Sequence, residues 1–323
     1  RVIQDILGMQ RKRMTTNYLG APISTGRVNK CFSEDIINKI PGRIMNWKNR
    51  FLSFGGWVDL INSVASSIPM HVMSVITPLK GVISSMEQLM NRFLWDSNSS
   101  GRAHWTAWRR VAKPVEKGGV SIRYMVVAIQ TMQAHLAWDF MDGKSMWARI
   151  LGLKYRRNWE EWDTRKLSRL GKVMVYHLEI LQESSQWLVG RGGINLWSEN
   201  WTGRKLFFPL CPRPDMSVRE ASRYPRLMEA ILSPDQMDLF KEVVFSEDRC
   251  CFTNSNSGHF NGSDYRGLIR QEGERDEWGA CLWCKEVLIK MCFLVWRARH
   301  QAIPTEDNIQ KKGILCILML LLL

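Results

Sequence analysis

Trp105, Trp108, Arg109, Arg110 and Lys113 stand close together in the chain, with Arg102 just upstream and Trp47, Lys48 and Arg50 as a second, smaller group. Aromatic rings interleaved with cations can stack bases while the cations neutralise phosphates. The competing reading places Trp47 in a buried helical stripe and the arginines simply facing water. We read Arg109, Arg110 and Lys113 as phosphate contacts, because phosphate is met by cationic side chains whatever the base. Lys48, Arg50, Arg102, Trp105 and Trp108 complete the candidate nucleic-acid-binding set.

Other chemistry has weaker support. Cys281-Leu282-Trp283-Cys284 has metal-type spacing, but a structural zinc site wants four ligands. His300 and Cys316 are too distant to make an ordinary knuckle, so the thiols read as buried in a helix or strand, and neither metal nor cofactor is expected. Gly190-Arg191-Gly192-Gly193 lacks the third glycine and the following helix of a dinucleotide loop and reads as a turn. None of the six His sits in a local nucleophile–base signature, so no catalytic residue is assigned. Arg11-Lys12-Arg13 is too short a basic run to read as a nuclear address.

The charge distribution agrees with the basic cluster. The 323-residue chain carries 45 Lys+Arg against 31 Asp+Glu, a formal net charge of +14. Residues 1–113 hold 16 basic and 6 acidic side chains, residues 114–205 hold 14 and 9, and residues 206–323 hold 15 and 16. Basic charge gathered in one region is the electrostatic footprint of phosphate-backbone binding. No apolar run reaches the ~18 residues of a membrane span. The first residue is Arg, so the chain reads as a piece of something longer. Without a secretory signal its eight Cys read as reduced thiols of a nuclear or cytoplasmic protein, not a secreted one.

These residues need elements to hold them. Tyr18-Leu19-Gly20-Ala21-Pro22-Ile23 reads as a short extended segment or turn. Ser33 can cap a helix carrying Ile36, Ile40, Ile44, Trp47 and Phe51, kinked or split at Pro41-Gly42. Val58, Ile61, Val64, Ala65 and Ile68 form a stripe ended by Pro69. Val82, Met86, Leu89, Met90 and Phe93 form another, and Met125, Ile129, Met132, Leu136 and Phe140 the longest. Pro114 and Gly118-Gly119 punctuate a loop. A helix follows at about 145–154. After Gly190–Gly193, Ile194–Trp197 reads as a short strand. Helical pieces are expected over 217–245, broken at Pro225 and Pro234, and over 285–302 and 305–312, with a loop or hairpin at 253–264 and an apolar tail from Ile314. The fold class is mainly α: a helical N-terminal half and a helix-rich α+β C-terminal half.

Several short motifs occur in a characteristic order. They are Tyr18-Leu19-Gly20-Ala21-Pro22, Leu52-Ser53-Phe54-Gly55-Gly56, Leu60-Ile61-Asn62-Ser63-Val64, Ser67-Ile68-Pro69, Phe93-Leu94-Trp95, and Lys113-Pro114 with Gly118-Gly119. This order resembles the thumb and connection of plant LINE-type (non-LTR) retrotransposon reverse transcriptases. Further on, Gly190, Trp197, Asn200-Trp201, Gly258, Phe260, Tyr265-Arg266 and Phe293…Trp296-Arg297-Ala298-Arg299-His300…Pro304-Thr305…Asp307-Asn308 resemble the reverse-transcriptase zinc-binding domain. The resemblance implies a basic thumb/connection-like region at 1–155, a linker with short strands at 156–205, and a zinc-binding-like domain at 206–323, truncated before its metal ligands. It also implies a polymerase palm upstream of Arg1. The Asp-Asp pair that holds catalytic metals in the family occurs nowhere in this sequence. Trp57 stands where the family has a basic residue, Gly118-Gly119-Val120-Ser121 replaces Gly-Gly-Leu-Gly, and Leu-rich sequence follows where the family's Cys and His ligands would stand.

The expected protein is therefore a reverse-transcriptase fragment that is not an enzyme. Its expected partner is RNA or DNA backbone, bound weakly and without sequence preference, with no membrane and no small-molecule substrate. The alternatives are a host-adopted structural or protein-binding scaffold, or a relic without function.

Overall fold

In a computed structural model, the described residues are 15–18, 21–24, 37–44, 52–74, 76–95, 106–155, 162–203, 206, 213–234, 237, 247–270, 276–283, 286–303 and 305. Among them the chain is mainly α, with two antiparallel two-stranded ribbons. It divides into two compact units, Arg1–Ala128 with Glu272–Leu323, and Ile129–Gln271.

In the first unit, β1 (Thr15–Tyr18) pairs with β2 (Ala21–Ser24), Tyr18 opposite Ala21, as the Gly-Pro segment suggests. Residues 37–44 are helical (α1) and bury Ile40 and Ile44 on one face. Pro41-Gly42 does not break them; within these residues the proline costs a hydrogen bond without ending the helix. α2 (Phe54–Leu60) is capped by Ser53, whose hydroxyl accepts from Gly56 N at 3.3 Å. It runs into a wide π turn at Ile61–Ala65 and then α3 (Ser67–Met73). Pro69 was expected to end this stripe, but it sits in the first turn of α3. A first-turn residue needs no intrahelical donor, and the widened turn, with Ser66 N on Ile61 O at 2.8 Å, makes room for the ring. α4 (Lys80–Trp95) buries Val82, Met86, Met90, Phe93 and Leu94. α5 (Trp108–Val111) is one short turn, followed by a 3₁₀ turn at Val115–Lys117.

α6 (Met125–Asp142) is the longest described helix. Its expected stripe includes the buried Met125, Ile129 and Phe140, but Val127, Ala128, Ala134 and Ala137 are buried as well. The small alanines let neighbours approach on faces that a simple stripe would leave in water.

In the second unit, α7 (Met146–Tyr155) and α8 (Arg169–Glu183) precede β3 (Ser185–Leu188). After two short helices, α9 (Val218–Ala221) and α10 (Pro225–Ile231), β4 (Arg249–Phe252) returns to pair with β3, Trp187 opposite Cys250. The strand lies before the glycines, not after them. Beyond Gly193 there is an isolated bridge, Asn195 to Ser217. α11 (Gly262–Ile269) starts at the Asn261 cap. One core gathers Ala134, Phe140, Met174, Leu178, Phe252 and Tyr265; another gathers Trp187, Leu196, Trp201, Val218 and Met228.

The chain then returns to the first unit with α12 (Glu277–Leu282) and α13 (Ile289–Arg299). The expected helix at 305–312, the Ser33 cap and the apolar tail lie outside the described residues. No described helix is long and apolar enough to cross a membrane.

Candidate functional site

Of the residues read as nucleic-acid-binding, Lys48, Arg50, Arg102 and Trp105 lie outside the described residues, as does the Arg11-Lys12-Arg13 run. The structure places Trp108, Arg109, Arg110 and Lys113 on and just after α5. Trp108 is only 8% exposed and Val111 is fully buried, so these two anchor the turn in the core. A ring in that position offers no open face to a base. Arg109, Arg110 and Lys113 point the other way and are exposed. One turn of helix thus divides into a buried apolar side and an exposed cationic side.

Behind this turn lies Glu87 on α4. Burial pushes its carboxyl up to about 7, while the Arg109 charge pulls it back down. Its Oε1 is buried and has no hydrogen-bond partner.

The segment after α5 is fixed by the backbone. Gly118 has φ 74°, and a side chain on Gly119 would collide with the Lys113 carbonyl. Ser121 N donates to Lys113 O at 3.0 Å, and Val120 N to Val111 O at 3.1 Å. Asn62 ties α2's π turn to the same loop, donating to Ser121 O at 3.1 Å and accepting from Arg123 N at 2.8 Å.

The C-terminal helices close on this loop. Trp296 Nε1 donates to Gly118 O at 2.9 Å and His300 Nε2 donates to the same oxygen at 3.3 Å. Asp276 N donates to Glu116 O at 2.9 Å. A Cβ on Gly55 would lie 3.1 Å from Ile289 and 3.3 Å from Phe293 on α13, so that glycine permits the approach of α2 to α13. Phe54 and Phe293 pack with tilted rings, their centroids 4.6 Å apart. The Leu52–Gly56, Lys113–Gly119 and Trp296–His300 motifs are therefore neighbours in space.

Sequence reasoning missed the cations on this returning helix. Arg299 makes an ion pair with Asp276 at 3.7 Å and lies 4.4 Å from the centroid of Trp278. Burial lowers the His300 pKa; the Gly118 hydrogen bond opposes this, and the charges of Arg110 and Arg299 reinforce it. The signal was present in Arg297-Ala298-Arg299-His300, but a neutral net charge over the last third hid it.

In the second unit, Gly190–Gly193 is a turn that holds a carboxylate of the chain itself. Gly190 N and Gly192 N donate to Asp248 Oδ1 at 2.7 and 2.8 Å, and Gly193 N donates to Oδ2 at 2.6 Å. Buried His177 and Tyr265 meet at 2.6 Å between Nδ1 and the hydroxyl.

Residues 262–318 match the family described as zinc-binding in reverse transcriptase. The described residues do not fit a zinc site. Cys281 is exposed on α12, the Cys292 thiol donates to Val287 O at 3.8 Å, and His300 Nε2 is committed to Gly118. No group of three or more His, Cys, Asp or Glu among the described residues could hold a metal ion, and Cys284 and Cys316 lie outside them. A curated Arabidopsis thaliana protein named "Putative ribonuclease H protein" is 25% identical over 317 residues, covering 89% of this chain and 51% of that protein. The chain thus spans about half the length of this curated relative. No solved structure matches it. The resemblance carried by the motifs is met by both comparisons, and the chain is a reverse-transcriptase-related protein with the zinc-binding region of that family over residues 262–318.

Proposed function

We propose that the chain corresponds to the thumb, connection and zinc-binding region of a LINE-type retrotransposon reverse transcriptase, and that it holds RNA or DNA backbone without reading sequence. The observation that carries this reading is the two-sided turn α5. Buried Trp108 and Val111 fix it, and Arg109, Arg110 and Lys113 stand exposed on it. Backbone contacts of this kind position a nucleic acid and carry no sequence information. The chain is not a polymerase by itself, because the sequence holds no Asp-Asp pair to bind catalytic metals.

The test is fluorescence anisotropy of labelled oligonucleotides against the whole chain across a salt series. Affinity should fall by about 0.7–0.9 log units per log of salt for each phosphate neutralised. Replacing Arg109, Arg110 and Lys113 together by Ala should weaken all sequences alike and lower the slope by up to ~3. Unchanged binding by that variant at near-physiological salt would sink the reading. A second reading, a protein-binding scaffold, is supported by Leu288, Ile289, Met291, Leu294 and Val295, which are exposed at and along α13.

A further inference from the structure

The C-terminal end of α13 stands against the loop that follows α5. Trp296 and His300 both donate to Gly118 O, and this pins the end of α13 to the loop that leaves α5. The charges of Arg110 and Arg299 are both felt at the His300 ring, as is the opposing charge of Asp276, so α5 and α13 each bring a guanidinium within electrostatic reach of one imidazole. The Arg299 side chain is 47% exposed. Its guanidinium carbon lies over the Trp278 ring, 4.4 Å from the centroid, and a ring so placed does not compete for the edge N–H groups. Its acidic neighbour, Asp276, is 3.7 Å away in a long, partly exposed pair, for which a phosphate oxygen can compete.

We propose that Arg299 belongs to the same phosphate-binding face as Arg110. The nucleic-acid contact is then composite: α5 and its loop supply Arg109, Arg110 and Lys113, and the segment matched to the zinc-binding family supplies Arg299. This rests on the backbone-binding reading above and gives the C-terminal segment a direct part in it. Like charges on one face repel one another, and a polyanion laid across both relieves the repulsion while each guanidinium donates to a different phosphate.

The test uses the whole chain, labelled single-stranded and duplex oligonucleotides of two unrelated sequences, and the same salt series. Arg299→Ala should weaken binding to every sequence alike and lower the salt slope by about 1. Arg299→Lys should keep the slope, because the charge remains. Asp276→Asn should tighten binding, since it removes the carboxylate that competes with phosphate for Arg299. An unchanged slope in Arg299→Ala, beside a clear loss in the Arg109/Arg110/Lys113 triple variant, would overturn this inference and leave the backbone-binding reading intact. No loss in the triple variant would remove both. Weaker binding in Asp276→Asn would show that Arg299 only braces α12 against α13, which also overturns the proposal. Should Arg299→Ala fail to fold, the Arg299→Lys and Asp276→Asn variants still decide.

Discussion

Trp296 donates its indole N–H to the carbonyl of Gly118, although the two residues are separated by 178 positions in the chain. The indole is fully buried, and the carbonyl belongs to a left-handed residue that only a glycine adopts cheaply. Both residues belong to motifs that carry the reverse-transcriptase resemblance. The bond shows what those motifs do here: they dock a returning helix onto a loop, and so bring the Arg297–His300 segment back to the stretch that follows Lys113.

The first prediction follows from that bond. Trp296→Phe removes the donor and leaves a void beside the loop, so it should cost about 2–3 kcal/mol in a urea titration. A smaller change, under about 0.5 kcal/mol, would mean that the loop does not depend on α13.

Much of this arrangement was legible as pattern and not as position. The spacing of Val82, Met86, Met90 and Phe93 gave α4 its buried face, since a local period needs no knowledge of what lies opposite. Pro69 misled because proline ends a helix only in its interior, and no local rule says where the next helix begins. The strand expected at Ile194–Trp197 failed because Ser185–Leu188 finds its partner at Arg249–Phe252, a pairing that leaves no local trace. Arg299 was missed for the same reason. Charge counted by thirds of the sequence cannot register a C-terminal cation on a helix that folds back onto the loop after α5.

The second prediction concerns pH. Burial pushes His177 down to about 4 from its ordinary 6.5. Its Nε2 is buried and unpartnered, so charging the ring would bury a second N–H with no acceptor. The unfolded chain binds this proton more readily than the folded one. The stabilisation from a neutral His177 is therefore complete above about pH 6.5 and is lost as pH falls towards 4. Between pH 7 and 5 the loss should be about 2 kcal/mol. His135 and His300, also lowered by burial, add in the same direction. Thermal melts of the wild-type chain and His177→Phe at pH 7, 6 and 5 would check this. A wild-type slope no steeper than that of the variant counts against the assignment.

The last prediction concerns Asp248 and the glycines it holds. Three backbone N–H groups, from Gly190, Gly192 and Gly193, converge on its carboxylate within 2.8 Å. Successive N–H groups in such a turn form an anion-binding concavity, and here the anion is supplied by the residue just before β4. Gly192, at φ 71°, lies so close to Arg219 that a Cβ there would be 2.9 Å from its backbone nitrogen, so the turn has little freedom to find other acceptors. Asp248→Ala leaves three donors without their carboxylate and should cost about 2–3 kcal/mol. Asp248→Asn, which keeps one oxygen but turns an amide N–H₂ toward the other donors, should cost nearly as much. A free anion should then replace the lost side chain. Sulfate or phosphate should raise the melting temperature of Asp248→Ala more than that of the wild type, in proportion to the logarithm of its concentration once the site is filled. Equal responses in the two proteins would show that the turn holds Asp248 only as a neighbour and has no anion site of its own.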